Sequence, residues 1–98
     1  MTITEMAKEA HQTAVEHGWW ETDRNFLELV ALMHCELSEA AEAYRKQEGE
    51  DHIVEEFSDV LIRIFDLCGR RGWDLEGAVL KKMAFNKTRP YRHGGKLA

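Results

Sequence analysis

The chain has 98 residues, which is the length of a single domain. Its net charge of −5 argues against a protein that binds the backbone of a nucleic acid. The sequence contains no signal peptide and no apolar run long enough to span a bilayer, so we expect a cytoplasmic protein with no membrane partner. Cys35 and Cys68 form no C-x-x-C pair, and we expect both to be reduced packing residues.

The spacing of apolar residues predicts an all-α protein with four helices. They are predicted over residues 3–17, 26–47, 51–68 and about 74–86. Thr2 and Glu5 have the T-x-x-E spacing of a capping box at the start of the first helix. Asn25 or Asp23 is expected to cap the second helix, and Asp74 the fourth.

Glycine and proline mark the expected helix ends. Gly18 is expected to stop the first helix and Gly49 the second, while the segment 69–72 is expected to form the turn after the third. Pro90 cannot continue the fourth helix. The sequence therefore predicts one domain over residues 1–98, a four-helix bundle-like protomer with a basic C-terminal tail from about residue 87.

The third predicted helix is apolar around much of its circumference. Its wide apolar face includes Phe57, Val60, Leu61 and Ile64, and Ile62 extends it further round the helix. A single small chain is not expected to cover so much apolar surface, so we expect a partner subunit to bury part of it.

Two acidic pairs occupy the middle of the chain. Glu36 and Glu39 lie three residues apart in the second predicted helix, and Glu56 and Asp59 lie three apart in the third. Residues three apart project from the same side of a helix, about one turn from each other. Because the two helices are expected to run antiparallel, the four carboxylates are expected to converge between them.

The position of these acids on their helices favours a metal site over two solvated surface pairs. On a helical wheel Glu36 points with the apolar stripe that contains Ala40, and Glu56 lies in the apolar stripe of its own helix. A buried carboxylate without a partner is costly. Carboxylate oxygens are the ligands that Mg²⁺ and Mn²⁺ prefer. We therefore predict that a divalent cation binds Glu36, Glu39, Glu56 and Asp59.

The C-terminal segment is basic, because residues 81–96 contain six lysines and arginines and no acid. Lys82 and Asn86 are predicted to lie on the core-facing side of the fourth helix, one turn apart. A cation and an amide directed at a metal–carboxylate site can bind phosphate, as can Arg89 through two parallel hydrogen bonds. The alternatives are a lysine whose stem lies along apolar surface and a frayed basic end.

Two tryptophans and a histidine are candidates for contacts with a nucleobase. Trp19 and Trp20 follow the first helix, and at least one is expected to be a core residue. The other can provide a stacking surface for a base. His11 lies on the flank of the apolar stripe of the first helix, where it either packs or faces the same place as Trp20.

The acidic pairs followed by Lys82-x-x-x-Asn86 resemble the MazG-like all-α nucleoside triphosphate pyrophosphohydrolases. The run from Lys82 to Lys96 and the segment Gly18-Trp19-Trp20 are similar to the small, single-domain members. The resemblance covers nearly the whole chain. It implies a helical bundle, with metal-binding carboxylates between helices two and three, that assembles as a homodimer or as a homotetramer made of two dimers.

The resemblance also implies an activity, which is Mg²⁺-dependent hydrolysis of (d)NTPs to monophosphates and pyrophosphate. This activity would clear (deoxy)pyrimidine or non-standard nucleotides from the nucleotide pool. Glu39 is our expected base for the attacking water, because it lies at the rim of its stripe, and Lys82 is expected to act on the leaving pyrophosphate. The implied phosphate ligands are Lys82, Asn86, Arg89, Tyr91 and His93, and the implied base contacts are His11 and Trp20.

Three alternatives were compared with this expectation. A phosphoribosyl-ATP-type pyrophosphohydrolase remains open, because it performs the same type of cleavage with a related acidic bundle. A non-catalytic helical oligomerisation module also remains open. A carboxylate-bridged di-iron bundle is disfavoured, since none of the five histidines follows a glutamate by three residues.

Overall fold

The computed structural model describes residues 1–91 and confirms the all-α prediction over that range. The helices are α1 (Ile3–Glu16), α2 (Phe26–Arg45), α3 (Glu50–Arg71) and α4 (Leu75–Lys87), and no strand is present among these residues. Within the same range, none of the helices combines the length and the apolar character that crossing a bilayer requires.

The predicted starts of α1, α2 and α4 are confirmed by capping hydrogen bonds, whereas α3 begins after Gly49 without a side-chain cap. The side chains of Thr2 and Glu5 each accept from the other's backbone N–H, at 3.1 and 2.8 Å. Asn25, rather than Asp23, caps α2 by accepting from Leu27 N at 2.8 Å. A capping hydrogen bond joins residues that are close in the sequence, which is why the sequence alone was enough to predict these caps.

The end of α2 differs from the prediction. The residue with a positive φ after this helix is Gln47, at 55°, and Glu48 N donates to Ala43 O at 3.0 Å to close the terminal turn. Gly49, which was expected to stop α2, has a φ of 98° and instead precedes the first residue of α3. The glycine therefore starts the next helix, and the preceding helix ends at Arg45.

Helix α3 is longer than predicted, because Gly69 is helical and the helix ends only before Gly72, which has a φ of 66°. A Cβ built on Gly69 would lie 2.6 Å from Ala7 O and 2.8 Å from His11 Cβ. The prediction of a turn at residue 69 was therefore wrong. The glycine is needed because α1 crosses α3 at this point with no room for a side chain.

Helix α3 is the centre of the fold and packs against both α1 and α2. Small residues of α2 are buried on the side of α2 that faces α3: Ala43 is fully inaccessible to solvent and Ala40 nearly so. Because these side chains are short, the backbone of α2 can approach its neighbour closely. Glu36 lies one turn before Ala40 and is therefore brought close to α3.

Helix α4 is peripheral. Its main helical neighbour is α1, to which it is joined by a hydrogen bond from Thr4 N to Glu76 Oε1 at 3.1 Å. It contains no buried residue, and Leu80, Met83 and Phe85 are each more than half exposed. These apolar residues point in different directions around the helix, so no single stripe defines an inner face. The prediction that Lys82 and Asn86 face the core is wrong for the single chain, since both are exposed.

The apolar face of α3 is only partly covered. Phe57, Leu61 and Ile62 remain about half exposed. The Cα radius of gyration is 16.1 Å, compared with about 13 Å for a compact domain of this length. The chain is therefore less compact than a typical single domain of its length.

Candidate functional site

Three of the four predicted metal ligands converge between α2 and α3. Glu36, Glu56 and Asp59 each offer a carboxylate oxygen, and the three oxygens lie within 4.8 Å of one another. The fourth acid, Glu39, is exposed and close enough to Glu56 to share a hydrogen bond when one of the two is protonated. The described fold therefore brings together three of the four predicted acids, and Glu39 lies beside Glu56 outside this group of three.

Glu56 is the most buried of these acids, with 9% of its surface exposed. Its Oε1 lies 3.3 Å from His52 Nε2, one turn earlier on α3. Its Oε2 is buried and has no hydrogen-bond donor among the described residues. The nearby carboxylate of Glu39 offers no proton when ionised. The Glu56 carboxylate is therefore only half satisfied by the chain.

This environment raises the pKa of Glu56. Burial is the main cause, and the hydrogen bond and charge of Glu39 add to it. His52 acts in the opposite direction, and Asp59 raises the pKa further. Without an external cation, the fold therefore disfavours the ionised form of Glu56.

Arg63 provides a positive charge to the cluster, and sequence analysis did not select it. Its Nε donates to Glu36 Oε1 at 3.0 Å, and its Nη2 lies 3.0 Å from the same oxygen. Both guanidinium contacts are therefore made to a single carboxylate oxygen. Arg63 lies one turn after Asp59 on α3, so it shares the face that carries the metal candidates.

A groove of about 840 Å³ adjoins the acidic cluster. Glu36, Asp59 and Arg63 line it together with residues of α1. Trp19 also lines the groove, with its ring centroid 3.5 Å from Arg24 Cζ and 5.0 Å from Arg63 Cζ. The groove therefore combines carboxylates, a guanidinium and an aromatic ring.

The two predicted base-contacting residues meet at an acid that the sequence analysis missed. His11 Nδ1 lies 2.9 Å from Asp66 Oδ1, and Trp20 Nε1 donates to Oδ1 and Oδ2 of Asp66 at 2.9 and 3.2 Å. The two rings lie edge to face, with centroids 6.0 Å apart. Asp66 thus fixes both rings, and the guanidinium of Arg70 lies 4.7 Å from the Trp20 ring centroid.

The predicted phosphate ligands of the C-terminal region lie apart from this arrangement in the single chain. Lys82, Asn86, Arg89 and Tyr91 are all exposed. Lys82 Nζ and Arg89 Cζ lie 5.3 and 5.9 Å from the Phe85 ring centroid. Among residues 1–91, neither of these basic side chains forms an ion pair with the four acids. His93 lies outside the described residues.

A signal for Arg63 and Asp66 was available in the sequence. From Glu56 the residues Asp59, Arg63, Asp66 and Arg70 follow at steps of three and four, which places all five within about 80° of one helical face. Charged residues at this spacing on a long apolar helix indicate a polar stripe. Their partners on α1 and α2 are distant in sequence and could not be identified without the fold.

No family model, curated protein or solved structure matches this chain. The family resemblance therefore remains a prediction from the motifs.

Proposed function

We propose that this protein is a Mg²⁺-dependent nucleoside triphosphate pyrophosphohydrolase that converts (d)NTPs to (d)NMPs and pyrophosphate. The observation that carries the proposal is the meeting of Glu36, Glu56 and Asp59, with oxygens within 4.8 Å, together with a buried Glu56 oxygen that has no donor among residues 1–91. A cation from outside the chain would satisfy that oxygen.

The donor set fits Mg²⁺ or Mn²⁺, because it consists of carboxylate oxygens only. Glu36, Glu56 and Asp59 would hold the ion, with Glu39 as a fourth ligand from the rim. A bound Mg²⁺ would neutralise the phosphate oxygens of a triphosphate. Since Glu39 is exposed, it can also orient a water for attack at the α-phosphorus.

The groove beside the cluster supports a nucleotide-sized substrate. Its volume of about 840 Å³ falls in the range of small-molecule sites, about 300–1,000 Å³. The metal ion held by the acids would bind the triphosphate, and Trp19, which lines the groove, would contact the base, with Trp20 and His11 as the further candidates. Lys82, Asn86, Arg89, Tyr91 and His93 stay in the proposal as further phosphate ligands.

The half-exposed apolar residues of α3 and α4 support a homo-oligomer, a dimer or a dimer of dimers, as the working form. The same surfaces favour one competing proposal, a non-catalytic helical oligomerisation module. The two proposals differ in whether the protein turns over any nucleotide.

The test is a panel of (d)NTPs and phosphoribosyl-ATP incubated with the protein and Mg²⁺, scored for both pyrophosphate and monophosphate. We expect both products in equal amounts and none in EDTA. Glu36→Gln should lower turnover at least about 100-fold while the far-ultraviolet circular dichroism stays helical, because a metal ligand contributes at least as much as the groups that support it.

The matched control is Glu42→Gln, on the same helix, where the carboxylate pairs with Arg45 and Lys46 at 3.5 and 3.9 Å. It should retain wild-type turnover. Wild-type rates in Glu36→Gln would remove the metal site, and a panel without any product would favour the non-catalytic module.

A further inference from the structure

Arg63 has two potential anionic partners within reach of one side chain. Its guanidinium contacts Glu36 Oε1 through two nitrogens, and the same side chain lines the groove beside the acidic cluster. About 30% of the side chain is exposed, so it is not fixed by packing on all sides. Rotation of the side chain alone can therefore change its partner from Glu36 to a ligand in the groove.

Glu36 also faces two competing demands. It contributes an oxygen to the group with Glu56 and Asp59, and it accepts both hydrogen bonds of Arg63. A guanidinium and a divalent cation close to the same carboxylate repel each other. The contact between Arg63 and Glu36 therefore competes with metal binding at the cluster.

We propose that Arg63 exchanges Glu36 for a phosphate group: it neutralises the cluster without metal, and it turns to a phosphate of the substrate in the groove once a divalent cation binds Glu36. This inference rests on the proposed function. It identifies Arg63 as a phosphate-binding residue, and it couples metal binding and phosphate binding, so that each strengthens the other.

The alternative is a permanent ion pair that only orients Glu36. The two cases predict opposite changes in metal affinity when Arg63 is removed. If Arg63 competes with the metal, removing it tightens metal binding in the absence of phosphate. If Arg63 orients Glu36, removing it weakens metal binding. In the exchange case, removing Arg63 also weakens phosphate binding when the metal is saturating.

The experiment compares wild-type protein with Arg63→Met and Arg63→Lys in two titrations that need no turnover. In the first, Mn²⁺ binding without phosphate is measured from the free-ion electron paramagnetic resonance signal. We expect about two- to fivefold tighter binding in Arg63→Met, since a partly exposed ion pair changes an equilibrium constant by up to about fivefold.

In the second titration, inorganic pyrophosphate binding at saturating Mg²⁺ is measured by calorimetry. We expect it to weaken at least about tenfold in Arg63→Met, because a charge-assisted phosphate contact is lost. Arg63→Lys keeps the charge and should lie between the two proteins. The matched control is Arg45→Met, which removes a 75% exposed guanidinium paired with Glu42 on α2, and it should change neither titration.

The outcomes separate this inference from the proposed function. Suppose that the wild type binds Mn²⁺ and that Arg63→Met, with its helicity retained, binds it equally well or more weakly. This result overturns the exchange and leaves the metal site standing. If Arg63→Met does not fold, the same reading is taken from Arg63→Lys, where unchanged binding of both ligands overturns the exchange. The absence of Mn²⁺ binding in the wild type overturns both the exchange and the metal site.

Discussion

Two buried acids of α3, Glu56 and Asp66, lie about three turns apart and have opposite surroundings. Asp66 receives the indole N–H of Trp20 and lies 2.9 Å from a ring nitrogen of His11. Glu56 has His52 Nε2 at 3.3 Å from Oε1, but its buried Oε2 has no donor among the described residues, and its other charged neighbours Glu36, Glu39 and Asp59 are acids. Residues 1–91 provide partners for the carboxylate of Asp66 and leave one oxygen of Glu56 without a donor.

The difference separates a carboxylate that stabilises the fold from one that is suited to a ligand. A buried acid with donors from its own chain contributes to stability, whereas one surrounded by acids lowers stability until a cation arrives. Burial alone does not distinguish the two, since both residues are less than a tenth exposed. The hydrogen-bond donors around each carboxylate distinguish the two residues.

Replacing the two acids should have opposite effects on stability, and this is the largest effect expected. Asp66→Ala leaves the Trp20 indole N–H and the His11 ring without their acceptor, and should cost about 1–3 kcal/mol of unfolding free energy. Glu56→Gln supplies an amide donor next to Glu39 and should not destabilise the protein in EDTA. Urea denaturation at fixed protein concentration measures both. A larger loss of unfolding free energy in Glu56→Gln than in Asp66→Ala would contradict the predicted difference between the two acids.

Gly69→Ala should disturb the cluster that Asp66 forms with His11 and Trp20, and it should leave the acidic cluster between α2 and α3 intact. The added Cβ would meet Ala7 O at 2.6 Å and push α1 away from α3, which overpacks the crossing by about 1–2 kcal/mol. Thermal unfolding measures this loss, and Ser58→Ala on the exposed side of α3 is the control. Mn²⁺ affinity should stay unchanged, because Glu36 and Glu56 lie on the α2–α3 side. A loss of Mn²⁺ affinity would show that the two clusters are linked.

The surroundings of Glu56 should also make stability depend on pH, which is a smaller effect. Because the pKa of Glu56 is raised in the folded state, the native protein holds this proton more tightly than the unfolded chain. Its contribution to stability is present below the ordinary glutamate pKa of about 4.5 and is lost as pH rises through the raised value.

In EDTA, the melting temperature of the wild type should therefore fall relative to that of Glu56→Gln as pH rises from about 4.5 toward neutrality. If the proposed metal site is correct, Mg²⁺ should reverse the difference, since it would bind the ionised cluster. Parallel melting curves for the two proteins across this range would show that the Glu56 proton has no influence on folding.

The features that the sequence predicted correctly are local ones. The capping box of Thr2 with Glu5 and the Asn25 cap follow from residues two or three positions apart, and the shared side of each acidic pair follows from its spacing of three within one helix. Glycine was less informative: Gly18 follows α1 with a φ of 82°, as expected, but Gly69 lies inside a helix for a close crossing. The same residue type serves both purposes, and only the neighbouring helix distinguishes them.

The features that could not be predicted depend on contacts between distant segments. Arg63 is 27 residues from Glu36, and Asp66 is 55 residues from His11. The inward placement of Lys82 and Asn86 failed for a related reason. A helical wheel shows which residues share a side of α4, but whether that side is covered depends on how α4 docks on the other helices.

The polar stripe of α3 has a consequence for the sequence changes that this chain can accept. Glu56, Asp59, Arg63 and Asp66 share one face only because their spacing keeps in phase with the helical repeat. Inserting or deleting one residue between Glu56 and Asp66 would rotate one end of the stripe by about 100° against the other. Substitutions at the exposed positions of α3 can accumulate one by one, whereas a change of length within this segment would separate the acidic cluster from the two rings in a single step.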